Sequence, residues 1–253
     1  MRVIYGVNPV KELLRGPSPG GLSELWLAEG ARSAAVAELE KAARAAGARV
    51  KHAPRAKLDQ LAGSDHHQGV VGVLEGDFRY VEVEDLLAAA RSRGEPPFLV
   101  ILDGVEDPHH LGAIARTAVA MGVHGLIIPR DRAVGVTPVV VKASAGLIDR
   151  CLVARVVNVA RTVDELKEDG VWSVALAGDA AQEIGQLDLK MPTALVLGSE
   201  GEGVRPLVRK TCDHEARIAM AGSVESLSVS AAAAIALHEA ARQRRGVDRQ
   251  IVR

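Results

Sequence analysis

Short apolar runs alternate with longer segments of helical periodicity along the whole chain. In the N-terminal third, apolar runs predict strands at 2–7, 23–28, 48–53 and 68–75. Between them, the segment 33–47 places its apolar residues on one face and ends at a glycine, as an amphipathic helix does. Because strands and helices alternate in this way, the pattern predicts an α/β fold with a mostly parallel sheet.

A more polar stretch separates this N-terminal part from the rest of the chain. Residues 77–97 contain one helical segment and end in a Gly/Pro-rich turn. We therefore expect a small domain over 1–76, a linker over 77–97 and a second α/β domain over 98–253. Six further apolar runs predict the strands of that second domain, at 98–102, 124–128, 152–157, 172–177, 193–197 and 215–220.

Composition narrows the class of protein. The chain has 253 residues, of which 48% are hydrophobic and 25% charged, so it can bury a full core. The formal net charge of -1 gives no overall positive field, and two residues each of Trp, Tyr and Phe are few for stacking successive bases. Two cysteines, Cys151 and Cys212, and the absence of a secretory signal pattern favour a cytoplasmic protein.

The segment GSEGEG at 198–203 is the first candidate for chemistry. Its G-x-x-G-x-G spacing matches neither the dinucleotide-binding G-x-G-x-x-G nor a P-loop. Glu200 and Glu202 would repel a phosphate, but they suit a ligand with hydroxyls or positive charge, such as the sulfonium of S-adenosylmethionine. The residues equally allow a surface turn whose glycines only adopt positive φ.

The second candidate is a helix that Asp107 caps and Pro108 begins. His109, Gly112 and Arg116 lie three or four residues apart and share one face of it. A glycine inside a helix costs about 1 kcal/mol relative to alanine, so Gly112 indicates close packing of a ligand or another backbone. Arg116 is a lone charge in an apolar stretch; it either serves a site or extends to solvent.

The third candidate, 218–245, is a strand followed by a loop of small residues and an alanine-rich helix, which suits either close ligand approach or plain packing. Three segments resemble, in order and spacing, the three signature motifs of SpoU/TrmH-type RNA ribose 2′-O-methyltransferases: DPHHLGAIARTA, LVLGSEGEGV and IAMAGSVESLSVSAAAAIALHE. The segment DRAVGVTPVVVKASAG also resembles this family of the SPOUT superfamily. IYGVNPVKELL and HHQGVVGVL are similar to the small RNA-binding domain of its ribosomal-RNA members, and the resemblance is greatest to the bacterial 23S rRNA guanosine branch.

The resemblance implies a fold and a reaction. The fold would be a small N-terminal α/β (L30e-like) RNA-binding domain, followed by a parallel-sheet SPOUT domain with a deep trefoil knot. The reaction would transfer a methyl group from S-adenosylmethionine to a ribose 2′-hydroxyl, with 23S rRNA as the expected partner and a homodimer formed through the catalytic domain. Transfer RNA, or the target of an antibiotic-resistance methyltransferase, remains an alternative substrate.

The resemblance also assigns roles to individual residues. Arg116, Glu200 and Ser226 match catalytic positions. Because arginine is very hard to deprotonate in proteins, Arg116 would orient the hydroxyl through an RNA phosphate rather than act as a free base. The adenosine would be held by backbone groups around Leu197, Gly198, Ile218, Met220 and Leu227.

Two positions depart from the family pattern. His110 stands where the first motif has asparagine, and Ser228 replaces the asparagine of the third motif's SLNVS. Histidine can still donate and accept hydrogen bonds, and serine can do so over a shorter reach. We therefore expect an active enzyme, and a catalytically impaired RNA-binding relative is the alternative.

Other interpretations have less support from the sequence. The pairs His66-His67 and His109-His110 lack the spacing of a metal site, so no metal is expected. Without G-x-G-x-x-G, a nucleotide-binding dehydrogenase is the weaker interpretation of an α/β chain. Basic runs at 49–57 and 242–253 are candidate RNA contacts, or simply solvated surface.

Overall fold

A computed structural model describes residues 2–15, 21–31, 33–221 and 226–245. These residues form two compact units. The N-terminal unit contains the chain up to Arg79 together with Val136–Arg150, and the C-terminal unit contains Tyr80–Gly135 together with the chain from Cys151. The segment Val136–Arg150 falls inside the predicted 98–253 domain in sequence, yet it packs within the N-terminal unit.

The N-terminal unit is built on a four-stranded mixed sheet. Its strands are β1 (Arg2–Tyr5), β2 (Leu22–Ala28), β3 (Arg49–Ala53) and β4 (Val70–Leu74), in the spatial order β1-β4-β2-β3. β4 is antiparallel to β1 and β2, whereas β2 and β3 are parallel. The successive strands are joined by the helices α1 (Val7–Arg15), α2 (Ala34–Ala45) and α3 (Arg55–Ala62). The first predicted strand ends early because Gly6, with a φ of 100°, turns the chain into α1.

The C-terminal unit is built on a six-stranded sheet in which every pairing is parallel. Its strands are β5 (Phe98–Asp103), β6 (Gly125–Pro129), β7 (Val153–Val156), β8 (Trp172–Leu176), β9 (Thr193–Gly198) and β10 (His214–Ala216), in the order β10-β8-β9-β5-β6-β7. All residues of β5 and β9 are buried, as in central strands covered on both faces. The predicted α/β class with a parallel sheet is confirmed.

Helices cover this sheet and connect its strands. They are α4 (Val83–Ser92), α5 (Pro108–Met121), α7 (Val159–Glu168), α8 (Pro206–Thr211) and α9 (Val229–Arg245), while α6 (Pro138–Ala143) belongs to the segment that packs with the N-terminal unit. α5 packs against α9. Among the helices in the described part of the chain, none has both the length and the apolar character that a membrane span requires.

The order of the strands determines where a ligand site can form. From β5 the chain proceeds outward through β6 to β7, and it then returns on the other side of β5 through β8 and β9. In open parallel sheets, ligands bind outside the carboxyl ends of the strands at such a reversal. The loops that follow β5, β8 and β9 meet at this edge.

Candidate active site

A cavity of about 770 Å³ lies at the carboxyl ends of β8 and β9. It is lined by the loop after β8, by 197–204, by Ile218 and Met220 beyond β10, and by 226–229 at the start of α9. Of the ten residues that the motifs indicate, all except His110 and Arg116 contribute to this lining: Leu197, Gly198, Glu200, Ile218, Met220, Ser226, Leu227 and Ser228. The structure therefore brings the second and third motifs together, and the roles of these residues stay predictions.

The loop after β9 folds back on itself at Gly198. The amide of Gly203 donates to the carbonyl of Ser199 at 3.0 Å, and Gly201 and Gly203 have φ values of 88° and 69°. A Cβ atom on Gly198 would lie 1.8 Å from the carbonyl carbon of Gly203. Two of the glycines thus adopt positive φ, and Gly198 is required by the loop's own backbone in a loop that also lines the cavity.

The far end of this loop is attached to β5 by an ion pair. The side chain of Asp103 is fully buried, and its Oδ1 accepts from Nε of Arg205 at 2.8 Å. Its Oδ2 accepts from the backbone amide of Arg205 at 2.9 Å. The hydrogen bond with Asp103 raises the pKa of Arg205 above its ordinary value. These contacts hold the loop in place between β9 and α8.

A second cavity of about 390 Å³ adjoins the first. The two share Ser199, Glu200, Glu202 and Val229 in their linings. The remaining lining comes from 103–107, from His110, and from the guanidinium-bearing residues Arg132 and Arg205. Glu200 and its neighbours therefore form a wall with one cavity on each side.

His110 contacts this wall directly. Its Nε2 lies 3.0 Å from Oε1 of Glu200, and its Nδ1 lies 3.2 Å from Oγ of Ser230. Ser230 in turn lies 3.3 Å from Oγ of Ser228. The same Glu200 oxygen accepts the amide of Val229 at 3.1 Å, which satisfies one of the free N–H groups at the start of α9. Sequence reasoning missed Ser230, although it stands only two residues after Ser228 in the third motif.

Arg116 is not part of either cavity lining. It lies on the exposed face of α5, and no hydrogen bond or ion pair connects it to another residue in the described ranges. Gly112 is buried on the same helix, which packs against α9. The buried residues of α9 include Ala233, Ala236 and Ala240. This packing accords with the second explanation for Gly112, the close approach of another backbone.

Local contacts and burial account for His67, for the two cysteines and for part of the first basic run. Nε2 of the buried His67 donates to Asp59 at 2.7 Å, and within the described ranges no three His, Cys, Asp or Glu residues are grouped as metal ligands. Both cysteines are free thiols, and burial raises the pKa of each to about 12. In the first basic run, Arg49 and Lys51 both pair with Glu24. The second run lies outside the described residues from 246 onward.

The chemistry of the larger cavity favours a ligand that is partly apolar and carries positive charge. Its volume lies within the range of about 300–1,000 Å³ that is typical of small-molecule sites. Its lining combines apolar side chains, such as Leu176 and Leu197, with carboxylates that include Glu200 and Glu202. The guanidinium of Arg209 also lines it, but this charge is offset by ion pairs with Asp179 at 3.0 Å and Glu215 at 2.6 Å.

Comparison with known proteins confirms the resemblance of the three motifs. Residues 97–238 match the SpoU rRNA Methylase family, and residues 3–78 match the family described as RNA 2′-O ribose methyltransferase substrate binding. The 23S rRNA (guanosine-2′-O-)-methyltransferase RlmB of Shewanella oneidensis is 44% identical over 245 residues, which cover 96% of this chain and 98% of that protein.

Two solved structures are similar over nearly the whole chain. The SpoU methyltransferase AviRb from Streptomyces viridochromogenes, in complex with the cofactor AdoMet, has a TM-score of 0.78 at 25% identity, covering 96% of this chain and 90% of that one. An AdoMet-bound rRNA methyltransferase from Sinorhizobium meliloti has a TM-score of 0.76 at 26% identity, covering 95% and 87%. With its motifs gathered at one sheet edge and both family matches in place, the chain belongs to the SpoU family of rRNA methylases.

Proposed function

We propose that the chain transfers a methyl group from S-adenosylmethionine to a ribose 2′-hydroxyl of RNA, with a guanosine of 23S rRNA as the substrate. The observation that carries this proposal is the cavity of about 770 Å³, whose lining combines apolar side chains and carboxylates of the second and third motifs. The name of the Shewanella relative supports the choice of 23S rRNA and of guanosine. The AdoMet bound by the Streptomyces and Sinorhizobium proteins supports the choice of methyl donor.

The residues present fit S-adenosylmethionine. Leu197, Gly198, Ile218, Met220 and Leu227 line the cavity and would hold the adenosine through apolar contact and backbone groups. Glu200 and Glu202 place negative charge where a sulfonium would be stabilised. When bound, S-adenosylmethionine supplies a methyl group that is already activated by its sulfonium.

The protein then has to align the ribose hydroxyl and remove its proton. Alignment alone can contribute about 7–11 kcal/mol to lowering a barrier of this kind. Ser226 and Ser228 line the cavity at the start of α9, where they can hydrogen-bond the acceptor hydroxyl. Arg116, which is exposed on α5, would bind a phosphate of the RNA chain and so orient the acceptor strand.

The arrangement of the whole protein is part of the same proposal. Residues 1–76 would bind the RNA substrate, followed by a linker at 77–97 and a catalytic domain at 98–253 that contains a deep trefoil knot and forms a homodimer. The substrate-binding family match at 3–78 supports the first assignment. Action on ribosomal RNA would place the protein in the cytoplasm. Light scattering of the purified chain, with twice the monomer mass as the expected result, tests the dimer.

The proposal is tested by transfer of labelled methyl from S-adenosylmethionine to unmodified 23S rRNA, with transfer RNA in parallel. Label that maps to a ribose 2′-hydroxyl of 23S rRNA, and that is lost in Arg116→Ala, is the expected result. Label on a base would contradict the reaction, and label on transfer RNA alone would contradict the substrate. If folded protein labels neither RNA, the catalytically impaired RNA-binding relative becomes the better interpretation.

A further inference from the structure

Four side chains at the wall between the two cavities form a continuous chain, in which an ion pair joins Glu200 to His110 and hydrogen bonds join His110 to Ser230 and Ser230 to Ser228. Glu200 contacts His110 at 3.0 Å, His110 contacts Ser230 at 3.2 Å, and Ser230 contacts Ser228 at 3.3 Å. Glu200 comes from the second motif, His110 from the first and the serines from the third. His110 is 23% exposed, so its ring is largely shielded by these neighbours.

Ordinary hydrogen-bond chemistry fixes the direction of this chain. The carboxylate of Glu200 lies 3.0 Å from Nε2 of His110 and cannot donate, so it stabilises the neutral tautomer that has its hydrogen on Nε2 and its lone pair on Nδ1. Ser230 therefore donates to Nδ1, and its oxygen accepts from the hydroxyl of Ser228. The Ser228 oxygen also accepts the amide of Ala231 at 3.3 Å, as a helix N-cap does.

Ser228 and His110 line different cavities. Ser228 lines the larger cavity, whereas His110 lines the smaller one, and Glu200 lines both. A hydroxyl bound in the larger cavity can therefore donate to the Ser228 oxygen, while the imidazole of His110 remains outside the lining of that cavity. The two positions that depart from the family pattern, His110 and Ser228, are thus connected through a shared partner, Ser230.

The charged groups around His110 are mostly acidic. Glu200 is in contact with Nε2, and the Oδ2 atom of Asp107 lies 3.7 Å from the same nitrogen. The other charged residues of the smaller cavity are Asp103, Glu106, Arg132, Glu202 and Arg205. Asp103 and Arg205 neutralise each other, so acidic groups predominate around the ring.

We propose that His110 is the proton acceptor of the methyl transfer and that Ser230 and Ser228 conduct the proton to it. The inference rests on the proposed function. As the ribose oxygen bonds to the methyl carbon and the carbon–sulfur bond breaks, the hydroxyl proton passes to Ser228. The Ser228 proton passes to Ser230, and the Ser230 proton passes to Nδ1 of His110. The products are the 2′-O-methyl ribose, the neutral thioether and an imidazolium that Glu200 stabilises.

The first test is the pH dependence of single-turnover methyl transfer to 23S rRNA at saturating S-adenosylmethionine. In the wild type, the rate should rise with pH through one ionisation, because Nδ1 must be unprotonated to accept the proton. His110→Asn and Ser230→Ala should both lose this ionisation and slow the reaction by at least about tenfold, within the usual range of proton-transfer catalysis. Binding of S-adenosylmethionine, measured by calorimetry, should be little changed in both variants.

His109→Asn is the matched control, because His109 is the exposed neighbour on the same helical turn and lines neither cavity. It should keep both the rate and the ionisation of the wild type. An active wild type whose rate and pH profile are unchanged in His110→Asn would overturn the relay and leave the proposed function standing. A wild type that transfers no methyl group to any RNA would instead contradict the proposed function.

A second measurement tests the chain without any reaction. Nitrogen-15 NMR of the free protein, with the His110 signals assigned by comparison with His110→Asn, reports the tautomer of the ring. The expected result is a neutral ring protonated at Nε2, and a shift of the Nδ1 signal in Ser230→Ala. Protonation at Nδ1, or an Nδ1 signal that Ser230→Ala leaves unchanged, would overturn the proposal.

Discussion

Arg205→Ala tests whether the loop after β9 depends on its ion pair with the buried Asp103. The substitution removes two side-chain hydrogen bonds to Oδ1 and leaves only the backbone amide of residue 205 on Oδ2. At about 1.5 kcal/mol for each charge-assisted hydrogen bond, the loss is about 3 kcal/mol. Removing one partner of a buried pair typically costs about 3–5 kcal/mol. We take the lower end, because the Arg205 side chain is 45% exposed.

Urea unfolding of the C-terminal unit measures this loss. The two tryptophans belong to different units, so fluorescence of Trp172 in a Trp26→Phe background reports the C-terminal unit alone. With a urea slope of about 2 kcal/mol per M, a loss of about 3 kcal/mol lowers the midpoint by about 1.5 M.

Two companion variants separate the buried charge from a general effect of removing arginine. Arg161→Ala breaks an exposed i,i+4 pair with Glu165 and should cost no more than about 0.5 kcal/mol. Asp103→Asn in the Arg205→Ala background removes the uncompensated carboxylate and should recover part of the loss. Surface substitutions usually change the free energy of unfolding by no more than about 0.5 kcal/mol. If the free energy of unfolding of Arg205→Ala lies within that range of the wild type, the reasoning about the buried carboxylate is wrong.

Three further outcomes are expected. Burial lowers the pKa of His124, whose Nδ1 accepts a hydrogen bond from the amide of Phe98 at the start of β5. The stability that the neutral ring contributes should therefore be complete above about pH 6.5, the unfolded-state value, and should be lost as the pH falls through the lower folded-state pKa. Urea midpoints measured against pH should show this dependence, and His124→Gln should remove it. Gly198→Ala should abolish S-adenosylmethionine binding in calorimetry, because its Cβ would overlap the Gly203 backbone. Since the pKa values of Cys151 and Cys212 are raised to about 12, native protein at pH 8 should resist iodoacetamide, whereas urea-unfolded protein should react at both thiols.

The elements of the fold follow closely from local pattern. Each predicted apolar run of the C-terminal unit became a strand, and 98–102 and 193–197 became the fully buried β5 and β9. The run at 215–220 was the least accurate, because the strand ends at Ala216. Beyond it the Arg217 side chain donates to the carbonyls of Ala180 and Ala181, and Ile218 lines the cavity. Hydropathy alone does not distinguish a residue that pairs in a sheet from one that lines a ligand site.

Residues of the candidate site were predicted from the sequence only where the resemblance to the three motifs identified them. Gly198, Glu200 and Ser228 were identified from resemblance, and the structure places them around one cavity. Asp103 and Arg205 were not, because the partners are 102 residues apart and neither stands out in sequence. Ser230 was missed for the same reason, since its contact with His110 spans 120 residues.

The order of strands explains why contacts so distant in sequence converge. Because β5 and β9 are neighbours in a parallel sheet, the loop that leads to His110 on α5 and the loop that carries Glu200 leave the same edge side by side. Packing of α9 on α5 then brings the start of α9 to the same place, where Glu200 accepts its first amide. The carboxylate therefore links the stability of a helix terminus to the orientation of an imidazole. A substitution at Glu200 should for this reason alter His110 and Ser228 together, whereas one at the exposed Arg116 should leave both in place.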